Sequence, residues 1–292
     1  MENLTHIAGM ESAGPNKPVA GNNPVAGNVI VAGNVIVTGN KPVAGNKTVK
    51  TEHVIEIDNL EKGFNNNLVL KNLSLKLYNG ENLVVLGKSG SGKSVLIKCI
   101  IRLLLPDQGT IRVFGQNVNE LTTKGLAEMR EKIGFLFQSG ALYDSMTVRE
   151  NLEFPLKRIK KGLTRKEIDE KVAEVLDNVG LGETLNKMPS ELSGGMRKRV
   201  SLARTIIVDP MIMLYDEPTT GLDPVTSDEI SSLINDVQTK YKTSSIIITH
   251  DIECVRATAD RIIMVQDGEV YKEGSIEEFN SSTDAIIRSF FK

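Results

Sequence analysis

The chain has 292 residues, with 25% charged and 40% hydrophobic, room for one large domain or two small ones of ordinary soluble character. A formal net charge of −2 gives no basic excess for nucleic acid, and no partner of that kind is expected. No run reaches the roughly 18 uninterrupted apolar residues of a membrane span. The nearest, Val95 to Leu105, is broken by Lys98 and Arg102, so a membrane role would run through a partner. Cys99 and Cys254, the only cysteines, sit in apolar helical settings, are too few for a zinc cluster, and fit buried free thiols in a reducing compartment.

Residues 1–51 differ in kind from the rest. Gly21, Gly27, Gly33, Gly39 and Gly45 recur every six residues, each followed by Asn. A hexapeptide period can mark a β-helix. At about three hexapeptides per coil, however, these units make fewer than two coils, with nothing to cap them. They also lack large aromatics and contain Pro18, Pro24 and Pro42. The expectation is a low-complexity, disordered extension in which Val29-Ile30-Val31 and Val35-Ile36-Val37 can pair transiently as strands. Its apolar runs are too short, and lack the basic flank, for a secretory signal.

Folded sequence is expected over residues 52–292. Val54 to Asp58 and Leu73 to Leu77 alternate as half-buried strands do, and the second ends at Asn79-Gly80, which reads as a hairpin turn. Phe64 lies between them, placed either to stack on a purine or to join the core. The run Leu83-Val84-Val85-Leu86 then leads into Gly87-Lys88-Ser89-Gly90-Ser91-Gly92-Lys93-Ser94, and Val95-Leu96-Ile97 opens a helix. Strand, glycine loop and helix are together the setting in which G-x-x-x-x-G-K-[ST] holds a nucleoside triphosphate. The glycines let backbone N–H groups turn around an anion, because a Cβ there would block the approach. Lys93 adds charge for the β- and γ-phosphates, the Ser94 hydroxyl is placed for Mg²⁺, and the helix dipole points at the same phosphates.

After a turn at Pro106 to Gly109 come strands over residues 110–114 and 133–137, the second closed by Gln138. The pattern then becomes helical. Thr147 with Glu150 and Thr164 with Glu167 have capping-box spacing, and Ile168, Val172, Val175, Leu176 and Val179 share a face that Gly180 ends. Residues 139–208 thus read as an inserted helical subdomain. Met211 to Tyr215 is apolar throughout, as in a strand covered on both faces, and runs into Asp216-Glu217. Acids at that end lie where parallel sheets bind ligands. Asp216 is a candidate Mg²⁺ partner, and Glu217, expected on the other side of the strand, a candidate to polarise water. Ser245 to Thr249 delivers His250 to the same edge. Residues 260–273 read as a hairpin about Asp267-Gly268, and Ser275 with Glu278 caps a closing helix.

Leu192-Ser193-Gly194-Gly195-Met196 resembles the signature motif of ATP-binding cassette (ABC) ATPases. The order glycine loop, Gln138, signature, Asp216-Glu217, Asp223, His250 is also similar to theirs over roughly residues 54–280. The resemblance implies an α/β P-loop NTPase, an ABC-type nucleotide-binding domain with an antiparallel β subdomain and an inserted helical one. It implies two copies sandwiching two ATP molecules head to tail, with Gly87, Ser89, Gly90, Ser91, Gly92, Lys93 and Ser94 of one copy facing Ser193, Gly194 and Gly195 of the other. Phe64 takes the place of the adenine-stacking aromatic, Ser94, Gln138 and Asp216 become the Mg²⁺ set, and Asp223 lies in the loop joining the two sites. The implied catalytic residues are Lys93, Gln138, Glu217 and His250, the last being the switch histidine.

Residues 136–142 and 188–196 are further similar to the cassettes of Mla/MCE-type phospholipid-trafficking transporters, in which a Met at the place of Met196 is normal. That implies an integral-membrane permease, an MCE-domain lipid-binding partner, and a cytoplasmic place on the inner face of the cell membrane through the permease. The surface from Gln138 to about Arg158 is expected to dock a permease helix, with Tyr143, Met146, Phe154 and Leu156 supplying an apolar groove. An ABC cassette for an amino acid, ion or drug remains the alternative. A soluble cassette acting on nucleic acid is disfavoured by the charge and by the lack of a tandem cassette.

Overall fold

The computed structural model describes residues 52–65 and 67–291; the repeat-bearing segment 1–51 lies outside the described residues, and the disorder expected of it with it. In chain order the elements are β1 (His53–Phe64), β2 (Asn67–Tyr78), β3 (Asn82–Leu86), α1 (Lys93–Ile100), β4 (Gln108–Val113), β5 (Gln116–Asn117) and α2 (Thr123–Glu131). Then follow β6 (Ile133–Leu136), α3 (Val148–Ile159), α4 (Arg165–Asn178), α5 (Gly194–Ile206), β7 (Ile212–Asp216), α6 (Pro224–Tyr241) and β8 (Ser244–Thr249). The chain closes through α7 (Ile252–Thr258), β9 (Arg261–Gln266), β10 (Glu269–Gly274), α8 (Ile276–Asn280) and α9 (Ala285–Phe290).

Two sheets result. One is antiparallel, in the order β2-β1-β4-β5; the other runs β10-β9-β3-β8-β7-β6, its strands parallel except for the edge strand β10. The central strands β3, β7 and β8 are buried at every position because both of their faces are covered. Their alternation divides the interior. Val84, Leu86, Met213, Tyr215 and Ile247 face a core shared with α3 to α7, while Leu83, Val85, Leu214, Ile246 and Ile248 face one shared with α1 and the antiparallel sheet. Each of these side chains contributes about 1.5–3 kcal/mol by leaving water.

Several expectations from the sequence recur as geometry. Both capping boxes close, with Thr147 and Thr164 accepting from the backbone N–H groups of Glu150 and Glu167 while those carboxylates accept in return. A third closes at Ser275 and Glu278. Both cysteines are buried and free, and burial pushes each thiol up to about 11. Asp267 and Gly268, at φ of 51° and 88°, turn β9 into its antiparallel partner β10.

Three expectations change. Asn79-Gly80 is a turn, but not a hairpin: β2 pairs with β1, whereas β3 lies between β8 and β9 in the other sheet. Turn chemistry reverses a chain without dictating that the flanking strands pair. The helix α2 adds an element to those read from the sequence, a largely exposed one in which Met129 is the one buried side chain. Leu156 is 1% exposed in the core joining α3, α4 and α5, so it cannot line an outer groove. Among the described residues, no helix is long and apolar enough to cross a membrane.

Candidate active site

The register of the parallel sheet brings the site together. Leu86 sits opposite Thr249, and Asp216 opposite Ile248, so the C-terminal ends of β3, β7 and β8 meet at one edge. The loop between β3 and α1 is tightly enclosed there. A Cβ on Gly87 would lie 2.5 Å from the Val265 carbonyl oxygen. One on Gly92, whose φ of 97° favours glycine in any case, would lie 2.7 Å from Leu70 Cδ2. Gly90 also has positive φ, and Ser89 and Gly90 are exposed at the crest.

Lys93 Nζ donates to the carbonyl oxygens of Gly87 at 2.7 Å and Lys88 at 3.0 Å, and lies 3.8 Å from Glu217 Oε1. Burial pushes its ammonium below the usual lysine range, against the opposing charges of Glu217 and Asp216. Ser94 Oγ donates to Asp216 Oδ1 at 2.9 Å. The Ser91 hydroxyl is buried with no partner, an orphan polar atom inside a loop built for an anion.

Glu217 departs from the strand's alternation. Its φ is 50°, its N–H donates to the Ile248 carbonyl at 2.9 Å, and its side chain turns toward Lys93 rather than to the far side of β7. The period of two holds only within an extended strand, and this left-handed residue stands just past its end. Glu217 Oε2 lies 2.8 Å from His250 Nδ1 and accepts from Thr220 Oγ1 at 3.1 Å. Lys93, Ser94, Asp216, Glu217 and His250 thus form one connected cluster.

The six remaining candidates lie outside that cluster. Ser193 caps α5, its hydroxyl oxygen accepting from Met196 N at 3.2 Å, and is exposed with Gly194. A Cβ on Gly195 would lie 2.4 Å from Thr226 Cγ2, so the signature turn rests directly on the start of α6. Asp223 caps that helix, accepting from Thr226 Oγ1 at 2.6 Å and Thr226 N at 3.0 Å; these bonds, the hydroxyl first, hold its carboxyl below the usual range. Among the described residues, no hydrogen bond joins Ser193, Gly194 or Gly195 to the 87–94 loop. Phe64 ends β1 with 43% of its surface exposed, Lys62 Nζ standing 5.4 Å from its ring centroid. The side chain of Gln138, just past β6, is exposed.

One residue was missed. Lys198 on α5 is 6% exposed and donates to the Gln138 carbonyl oxygen, 3.5 Å from that of Glu217; burial pushes its ammonium down to about 8. In the run Arg197-Lys198-Arg199 it reads as one of three solvated charges. The available signal was its helical spacing from Ser201 and Leu202, both buried.

The model of the ABC transporter family matches residues 70–220. The chain belongs to the ABC transporter family. It is an ATP-binding cassette ATPase with the P-loop NTPase fold. Its sequence is 39% identical, over 236 residues, to a probable ribonucleotide transport ATP-binding protein of Mycobacterium leprae, covering 81% of this chain and 68% of that one. It is 37% identical over 241 residues to the intermembrane phospholipid transport ATP-binding protein MlaF of Haemophilus influenzae, covering 82% and 91%. Among solved structures it resembles a dimeric ATP-binding cassette in a post-hydrolysis state with ADP and Pi, at a TM-score of 0.70 and 33% identity over 76% of this chain and 98% of that one.

Proposed function

We propose that this cassette hydrolyses Mg-ATP between two copies of itself and drives a separate integral-membrane permease that moves phospholipids. The observation carrying the proposal is the convergence on Glu217, whose carboxylate meets His250 Nδ1 at 2.8 Å and Lys93 Nζ at 3.8 Å. A base held by a neighbouring imidazole and set beside a phosphate-binding lysine is arranged to draw a proton from water attacking the γ-phosphate. Lys93 stabilises the charge that spreads over the transferring group, and His250 both orients Glu217 and faces the same oxygens.

The residues fit Mg²⁺. Ser94 and Asp216 offer a hydroxyl and a carboxylate oxygen already 2.9 Å apart, the hard donors such an ion takes, and Gln138 would complete the set. When bound, the ion supplies positive charge to the phosphate oxygens. ATP fits the loop for the same kind of reason: Ser91 brings an unpaired hydroxyl, and Gly87 and Gly92 pack so closely on Val265 and Leu70 that the loop keeps its backbone path only with glycine there.

The two-copy reading rests on the separation of Ser193, Gly194 and Gly195 from their own chain's phosphate loop and on the dimeric cassette that this chain resembles. A γ-phosphate gripped by one chain's loop and the other's Ser193 joins the copies, and hydrolysis removes the join. Tyr143 and Phe154, exposed and packed edge to face at 5.2 Å, would receive the permease helix with Met146. Phospholipid cargo, with an MCE-domain partner and a place at the inner membrane face, rests on Met196 and on similarity to MlaF along 91% of that protein. Similarity to a ribonucleotide transport protein supports a second reading, a different cargo on the same engine.

Glu217→Gln tests the chemistry. It should bind ATP as the parent does and turn over about 10²–10⁴-fold more slowly; parental turnover would remove Glu217 from the mechanism. Purifying the cassette with its membrane complex tests the cargo, since a permease without a lipid-binding companion would count against phospholipid.

A further inference from the structure

We propose that Lys198 is a positioning residue for ATP hydrolysis: its buried ammonium ties the main chain of Gln138 to that of Glu217, so that the loop after β6 and the catalytic edge of β7 are held in register by the signature helix. The proposal rests on the roles of Gln138 and Glu217 given above.

Lys198 stands one turn into α5, the helix that Ser193 caps. Its Nζ donates to the carbonyl oxygen of Gln138 and lies 3.5 Å from that of Glu217, while the side chain is almost wholly out of water. Burying an ammonium is costly unless its protons find acceptors, and two carbonyls from separate segments supply them. Packing alone would be served better by a methionine of the same length.

The same helix face continues the contact. A Cβ on Gly140, whose φ is 80°, would lie 2.6 Å from Ser201 Oγ, and Arg204 Nη1 donates to the Ala141 carbonyl at 2.8 Å. Lys198, Ser201 and Arg204, three residues apart, therefore hold the backbone of residues 138–141 against α5. Of these, Lys198 alone reaches across to the catalytic edge. A shift of α5 is transmitted through one side chain to both the Gln138 loop and the backbone that fixes Glu217.

The test compares Lys198→Met, which keeps the length and loses the donors, with Lys198→Arg, which keeps a cation and donors. Steady-state turnover, ATP affinity and thermal unfolding are measured on the full chain. The Met variant should lose about 100-fold in kcat, the order of a misplacement of about 1 Å, while its ATP affinity and Tm stay near the parent's. The Arg variant should recover part of the rate. Unchanged kcat in Lys198→Met would overturn the proposal, and so would a parallel fall in kcat, affinity and Tm in both variants, the mark of a merely structural lysine. Should the Met variant not fold, Lys198→Gln takes its place under the same criteria. Glu217→Gln in the same assay separates the two ideas: normal turnover there defeats the catalytic reading, whereas normal turnover in Lys198→Met beside an inactive Glu217→Gln defeats this one.

Discussion

Nδ1 of His250 lies 2.8 Å from Oε2 of Glu217, joining the residue just past β8 to the residue just past β7. With its proton on Nδ1 the ring donates to the carboxylate and leaves Nε2 free. His250→Ala should therefore lower turnover by about 10²–10³-fold while ATP affinity stays close to the parent's. Single-turnover hydrolysis with a separate binding titration checks this. A loss confined to affinity would assign His250 to binding.

Lys93 holds the phosphate loop closed as well as offering charge to a ligand, because its Nζ donates to both Gly87 and Lys88. Lys93→Ala should weaken ATP binding at least about 10-fold, the order expected from losing a charge-assisted hydrogen bond. Equilibrium titration with a fluorescent ATP analogue reads it directly.

Gly195 and Thr226 form a steric pair, a Cβ on the first falling 2.4 Å from Cγ2 of the second. Gly195→Ala should push the signature turn off α6 and lower turnover by about 10-fold or more, since small misplacements near reacting groups are costly. Adding Thr226→Ser removes the offending methyl but keeps the hydroxyl that donates to Asp223, and should restore part of the lost rate. No rescue in the double variant would mean that the contact is not what makes position 195 small.

The caps of α3 and α4 make stability depend on acidity. Backbone hydrogen bonds from Thr147 and Thr164 hold Glu150 and Glu167 below their usual 4.5. A carboxylate depressed in the folded state stabilises above its unfolded pKa, and that contribution is lost as pH falls through the folded one. Glu150→Ala and Glu167→Ala should each lower Tm at neutral pH, with the difference from the parent closing in acid low enough to protonate the parent's carboxyls too. Thermal unfolding followed by far-UV dichroism at both acidities checks the sign.

Much of this was legible in the sequence because the chemistry is local. A glycine loop between a strand and a helix, a serine that caps, and two acids ending an apolar run each occupy few consecutive residues. What escaped depends on non-local geometry. The turn at Asn79-Gly80 was visible, but which strands pair was not, since pairing is settled by β8 and β9 far along the chain. Glu217 was expected on the far side because alternation was carried one residue too far, into a left-handed position. Leu156 looked like groove lining until α4 and α5 covered it. Lys198 was hidden among neighbouring charges, and only the packing of α5 turns it inward while Arg197 stays exposed.

The arrangement in which two copies complete each other's triphosphate pocket is decided by sedimentation equilibrium of full-length Glu217→Gln with and without Mg-ATP. A nucleotide-dependent dimer that Ser193→Arg disperses is the expected result. A chain that stays monomeric at saturating Mg-ATP, or a dimer indifferent to Ser193→Arg, would contradict it.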